Sequence, residues 1–105
     1  MRSFVLGTVL ATAFGGWATS VVAAEGAALY AGKACLACHG ADGKAPIQDS
    51  YPKLAGQNAA YLAQQLRDIR DGRRTNGQSA VMAPIVQALT DAEIEAIALY
   101  LSGLE

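Results

Sequence analysis

Three hydrophobic patterns divide the sequence. From Ser3 to Ala24 the chain is apolar and uncharged, with no period. Between 40 and 56, isolated apolar residues sit among three glycines and two prolines, which predicts loop. The other segments carry helical spacing. Tyr61, Leu62, Leu66 and Ile69 recur at steps of three and four, giving a helix over about 58–71 one apolar stripe, with Gly72 placed to stop it. Ile94, Ile97, Ala98 and Leu101 repeat that spacing. Thr90-Asp91-Ala92-Glu93 opens this last helix as an S/T-x-x-E capping box, and Gly103 closes it. A first helix is expected from about Glu25 into the cysteines at 35 and 38, built on Ala27 to Ala31. A polar loop at 73–79, a loop-like stretch through Met82 to Pro84 and a short helix around Ile85 to Leu89 fill the interval. No segment after Ala24 alternates as a strand does, so the expected class is all-α.

The opening apolar run changes the domain count. Arg2 supplies a positive start, and Val22-Ala23-Ala24 ends the run on small residues, as in a secretory signal peptide. Cleavage after Ala24 is expected, leaving one domain at 25–105. An uncleaved anchor is the alternative, since the run is just long enough to span a bilayer; Gly15-Gly16 and the small-residue exit favour cleavage. The 81 remaining residues make a marginal core without a staple or bound cofactor. Trp17, Phe4 and Phe14 lie in the leader, so four tyrosines are the only aromatics left. A large flat apolar ligand would supply the missing volume. From Glu25 onward, seven Lys and Arg stand against nine Asp and Glu, with no basic run interleaved with aromatics. Nucleic acid is therefore not an expected partner.

Cys35-Leu36-Ala37-Cys38-His39 is a C-x-x-C-H, the attachment motif of c-type haem. On a helix, positions i, i+3 and i+4 share a face. Two thiols can then reach the haem vinyl groups while His39 ligates the iron. Structural zinc usually needs four Cys or His ligands, and this chain holds three. A thioredoxin-like pair expects a strand–helix–strand setting, and a disulfide across two residues would constrain little. With one His in the chain, the sixth iron ligand falls to Met82, the only methionine after Ala24. A lysine, a water or an open position are the alternatives.

These residues make the chain resemble class I c-type cytochromes, closest to the small bacterial c553, c4 and c5 group. The resemblance runs through Gly26 and Tyr30, the haem motif with Gly40-Ala41-Asp42-Gly43, and Tyr51-Pro52-Lys53-Leu54-Ala55-Gly56-Gln57. It continues through Tyr61 to Leu66, Gly72-Arg73-Arg74, Met82-Ala83-Pro84, and Leu89 to Ile94 leading to Tyr100-Leu101. It implies a small cytochrome c fold wrapped around one covalent haem c, with first and last helices crossing at Gly26 and Tyr30 and Tyr100 packed nearby. It also implies a proline carbonyl accepting from the His39 ring, assigned to Pro52 with Pro46 in reserve. Leu54, Leu66 and Ile85 are expected in the haem wall, and Arg73 or Arg74 near a haem carboxylate. The domain lacks the tryptophan that mitochondrial-type relatives place near a propionate. Val81, where many c4-like sequences have a second methionine, leaves Met82 unrivalled.

The expected function is a periplasmic one-electron carrier, not an enzyme, with His39 and Met82 as axial ligands. Its partners would be redox proteins: a quinol-oxidising complex or dehydrogenase as donor, a terminal oxidase or reductase as acceptor. No stable membrane insertion is expected after leader removal. A haem subunit of a dehydrogenase complex is the second reading, and a haem enzyme or sensor with an open sixth site the third.

Overall fold

The computed structural model describes residues 22–48 and 50–104. The predicted leader lies almost wholly outside them. Five helices follow in order: α1 over 22–32, α2 Cys35–His39, α3 Ala59–Arg70, α4 Ser79–Val86 and α5 Asp91–Ser102. Among the described residues there is no strand. None of their helices is long and apolar enough to cross a membrane.

Two helix ends are written into the sequence as predicted. Thr90 and Glu93 close a reciprocal capping box at α5: the Glu93 amide donates to Thr90 Oγ1 at 3.1 Å, and the Thr90 amide donates to Glu93 Oε1 at 3.0 Å. At the end of α3, Gly72 adopts φ 78°, and the amides of Arg73 and Arg74 turn back to the Asp68 carbonyl at 2.7 and 3.0 Å. At its start, Asn58 caps the helix by accepting from the Tyr61 amide.

Two expectations need correcting. The first helix does not run unbroken into the cysteines. It stops at 32, and Ala34 takes the left-handed conformation at φ 68°, the one described non-glycine residue to do so. That residue ends α1 and starts α2 along a new direction, a job usually given to glycine. The stretch from Ser79 to Pro84 is not a loop, nor does a separate helix begin at Ile85. α4 covers Ser79–Val86 with Pro84 inside it. In so short a helix proline removes one backbone bond, and burial of Val86 with packing of Met82 and Ala83 against the core outweighs the loss.

α3 packs on both α4 and α5. Leu62, Ile69, Val86, Ile94, Ile97 and Leu101 form the centre of the buried cluster. α1 crosses α5 where Gly26 allows backbone contact: a Cβ there would stand 2.0 Å from the Ala96 carbonyl oxygen. Tyr30 and Tyr100 pack beside this point with tilted rings, their centroids 5.8 Å apart. Tyr30, 1% exposed, donates its hydroxyl to the Gly40 carbonyl at 2.7 Å, tying the crossing to the turn after α2. Burial pushes its phenol up to about 12, so it stays a donor throughout the working range.

Candidate functional site

One turn of helix presents the chemistry. α2 carries Cys35, Cys38 and His39, and all three line a single cleft. Gly40 then reverses the chain at φ 88°, where a Cβ would meet the Ala45 carbonyl oxygen at 2.6 Å. The loop that follows is pinned back onto the motif. The Ile47 amide donates to Cys38, those of Leu54 and Ala55 donate to Gly43, and that of Gly56 donates to Leu101 of α5. This path carries Pro52 to His39.

His39 is 5% exposed, and its Nδ1 lies 3.0 Å from the Pro52 carbonyl oxygen. A carbonyl can only accept, so Nδ1 carries the proton. Nε2 is left with its lone pair, the form in which an imidazole binds a metal. The Tyr51 ring stands 6.1 Å from that of His39.

Met82 comes to the same cleft from α4, and Leu54, Leu66 and Ile85 line it as well. The structure thus gathers Cys35, Cys38, His39, Pro52, Leu54 and Met82 around one space. Pro46 is absent from its lining, and Arg73 points elsewhere, paired with Asp68 at 3.2 Å and Asp71 at 3.4 Å. Burial pushes the Cys35 thiol up from its ordinary range. A redox-exchange cysteine needs the opposite shift. Among the described residues no group of three His, Cys, Asp or Glu side chains converges as zinc would require.

Sequence reasoning missed Ser79. It is 4% exposed and lines the cleft, yet its Oγ has no hydrogen-bond partner. Leaving a buried hydroxyl so costs about 1–3 kcal/mol. Had 79–86 been recognised as helix, the i, i+3 relation of Ser79 to Met82 would have placed both on one face. The lining is otherwise mainly apolar, with two thiols, an imidazole presenting Nε2 and a thioether as donors. That donor set, in a mainly apolar cleft, fits haem c.

The cytochrome c family model matches residues 23–105. The chain belongs to the cytochrome c family. It is 48% identical over 73 residues to cytochrome c-554(548) of Halomonas halodenitrificans, covering 68% of this chain and 84% of that one. It is 41% identical over 109 residues to the thiosulfate dehydrogenase electron acceptor of Thiomonas intermedia, covering all of this chain and 48% of that protein. The crystal structure of reduced recombinant cytochrome c4 from Pseudomonas stutzeri superposes with a TM-score of 0.75 at 37% identity, over 82% of this chain and 50% of that one. The chain therefore spans about half the length of these last two relatives. Membership of the family means an all-α cytochrome c fold, a covalently bound haem c, and electron transfer rather than enzymatic turnover.

Proposed function

We propose that this cytochrome is a periplasmic one-electron carrier whose haem is joined by thioethers to Cys35 and Cys38 and ligated by His39 and Met82. The observation that carries the reading is the bond from His39 Nδ1–H to Pro52, which leaves Nε2 available in a cleft that Met82 also lines. The bound haem supplies an iron that alternates between Fe(II) and Fe(III).

The chain's own residues set the conditions for that change. The Met82 thioether is a soft neutral donor that favours Fe(II), and Met/His ligation raises the reduction potential. Apolar walls from Leu54, Leu66 and Ile85 disfavour the extra charge of the oxidised centre. His39 and Met82 would both hold the iron and so would leave a substrate no open place on it. Val81 and Ile85 line the cleft and are also exposed, at 49% and 36%, so apolar surface lies where a partner would approach. Redox encounters use small transient interfaces, which such a patch suits.

The relative named as a thiosulfate dehydrogenase electron acceptor supports a dehydrogenase as electron donor here. A quinol-oxidising complex is the other donor class, and a terminal oxidase or reductase the acceptor. The charge-free run from Ser3 to Ala24 supports export and cleavage, so the purified protein should begin at Glu25 by N-terminal sequencing.

The deciding experiment is the visible spectrum of the purified haem protein in both oxidation states. A low-spin c-type spectrum with the weak long-wavelength sulfur-to-iron band of the ferric form is expected. Met82→Ala should abolish that band, turn the ferric haem high-spin and lower the potential. A wild-type protein that is already high-spin would refute Met82 ligation.

A further inference from the structure

α4, which carries Met82, is weakly held by its own sequence. It is eight residues long, contains Pro84 and has no side chain capping its start. Among the described residues it packs on α3 and not on α2 or α5. His39 and Met82 therefore reach the cleft from helices that do not pack together, and the place of Met82 depends on how α4 is mounted on α3. Two polar contacts fix the far end of that mount. The Gln87 side-chain amide, at the C-cap of α4, donates through Nε2 to the Arg70 carbonyl at 2.9 Å. The Arg70 guanidinium crosses the same junction in return, donating to the Leu89 carbonyl at 3.1 Å in the turn between α4 and α5. It also pairs with Asp91 at 2.9 Å and with Asp71 at 2.8 Å. Its side chain is 18% exposed, less than those of Arg67 and Arg73, which bond only to carboxylates among the described residues.

We propose that Arg70 and Gln87 are positioning residues for the Met82 ligand: by holding the end of α4 on α3, they keep the thioether from leaving the iron. This rests on Met82 ligating a bound haem as proposed above. Met82 lies little more than one helical turn before Gln87, so a fixed end fixes the ligand. Val86 and Leu89 bury the same segment from the apolar side. Apolar burial has no direction, however, and lets a short helix slide or turn. Hydrogen bonds are directional and set its register. The bond from the guanidinium to Leu89 is charge-assisted, the stronger kind. The mount matters most in the ferric state, since a thioether favours Fe(II) and is held less firmly by the oxidised metal.

The test uses the ferric haem-loaded protein with cyanide as the probe. Cyanide binds only when the Met82 sulfur leaves, so its association rate reads the opening of that bond. Arg70→Gln should raise the rate about tenfold and Gln87→Ala about threefold, with the resting spectrum still low-spin. Arg67→Gln is the control. Arg67 joins α3 to α5 through Glu95 and Asp91 and, among the described residues, pairs with nothing in the turn between α4 and α5. Its variant should lower the thermal midpoint and leave the cyanide rate at the wild-type value. Gln87 is exposed, so its variant gives the reading even where Arg70→Gln does not fold. A wild-type cyanide rate in either variant, whatever its thermal midpoint, would overturn the proposal, because a merely structural role lowers stability alone. So would an Arg67→Gln protein that binds cyanide as fast as Arg70→Gln. Failure of the underlying reading looks different, since the wild type would then take up cyanide as fast as Met82→Ala.

Discussion

Ala34 shows how one residue's backbone can redirect the functional segment. A left-handed alanine costs roughly 1–2 kcal/mol that glycine would not incur, yet it stands at the step between α1 and α2 and lines the cleft beside Cys35. Ala34→Gly should therefore stabilise the haem protein by about 1 kcal/mol, offset in part by the greater entropy of the unfolded chain. Chemical denaturation of the two proteins side by side checks this; a destabilised variant would mean that the alanine methyl contributes packing that outweighs its strain. Nothing in the run Gly32-Lys33-Ala34 marks the third residue rather than the first as the left-handed one, so this break was not legible in the sequence. His39 was legible as a ligand type through its spacing, but the choice of nitrogen depends on where Pro52 arrives across 13 residues of chain.

Helices were legible in proportion to their own local signals. α5 has its cap, its stripe and its stop between Thr90 and Gly103, and the structure reproduces all three. α3 is bounded by Asn58 and by Asp71 with Gly72, within one residue of expectation at each end. α4 has no capping side chain, and its interior proline reads locally as a breaker, so only its packing on α3 reveals it. The capping box of α5 also carries a pH prediction. The Thr90 amide, donating to Glu93, holds that carboxyl below its ordinary 4.5. A depressed folded value means that its contribution is present at neutral pH and fades as pH falls below about 4.5 and through the folded value. Asp71, held low by Arg70, fades in the same direction. Thermal melts at pH 7 and pH 3 should show Glu93→Gln losing less on acidification than wild type. Thr90→Ala should cost about 1 kcal/mol at pH 7 through loss of the cap.

At the scale of the whole molecule, the cofactor is part of the core. Leu54, Leu66, Met82 and Cys35 pack at the edge of the buried cluster and also line the cleft. Without the haem those surfaces would meet water in a domain already near the lower size limit for independent folding. Cys35→Ala/Cys38→Ala, which cannot attach the haem, should lose the cooperative thermal transition and much of its helical circular dichroism signal. A sharp transition in that variant would show that the polypeptide core suffices alone. The all-α class and the crossing at Gly26 were foreseeable, the first from periodicity and the second from family resemblance. The arrangement of the 40–56 segment was not, because its amides are satisfied by Cys38, Gly43 and Leu101, residues near and far that no local pattern connects.

That last set of bonds has a consequence for speed. Electrons pass between proteins fastest when the atoms around the iron barely move as its charge changes. The Leu101 carbonyl anchors Gly56, Gly43 anchors Leu54 and Ala55, and Pro52 two residues earlier holds the His39 ring. The imidazole is thus clamped from the C-terminal helix as well as from its own, a mounting that, with His39 on the iron as proposed, would keep the reorganisation accompanying each transfer small.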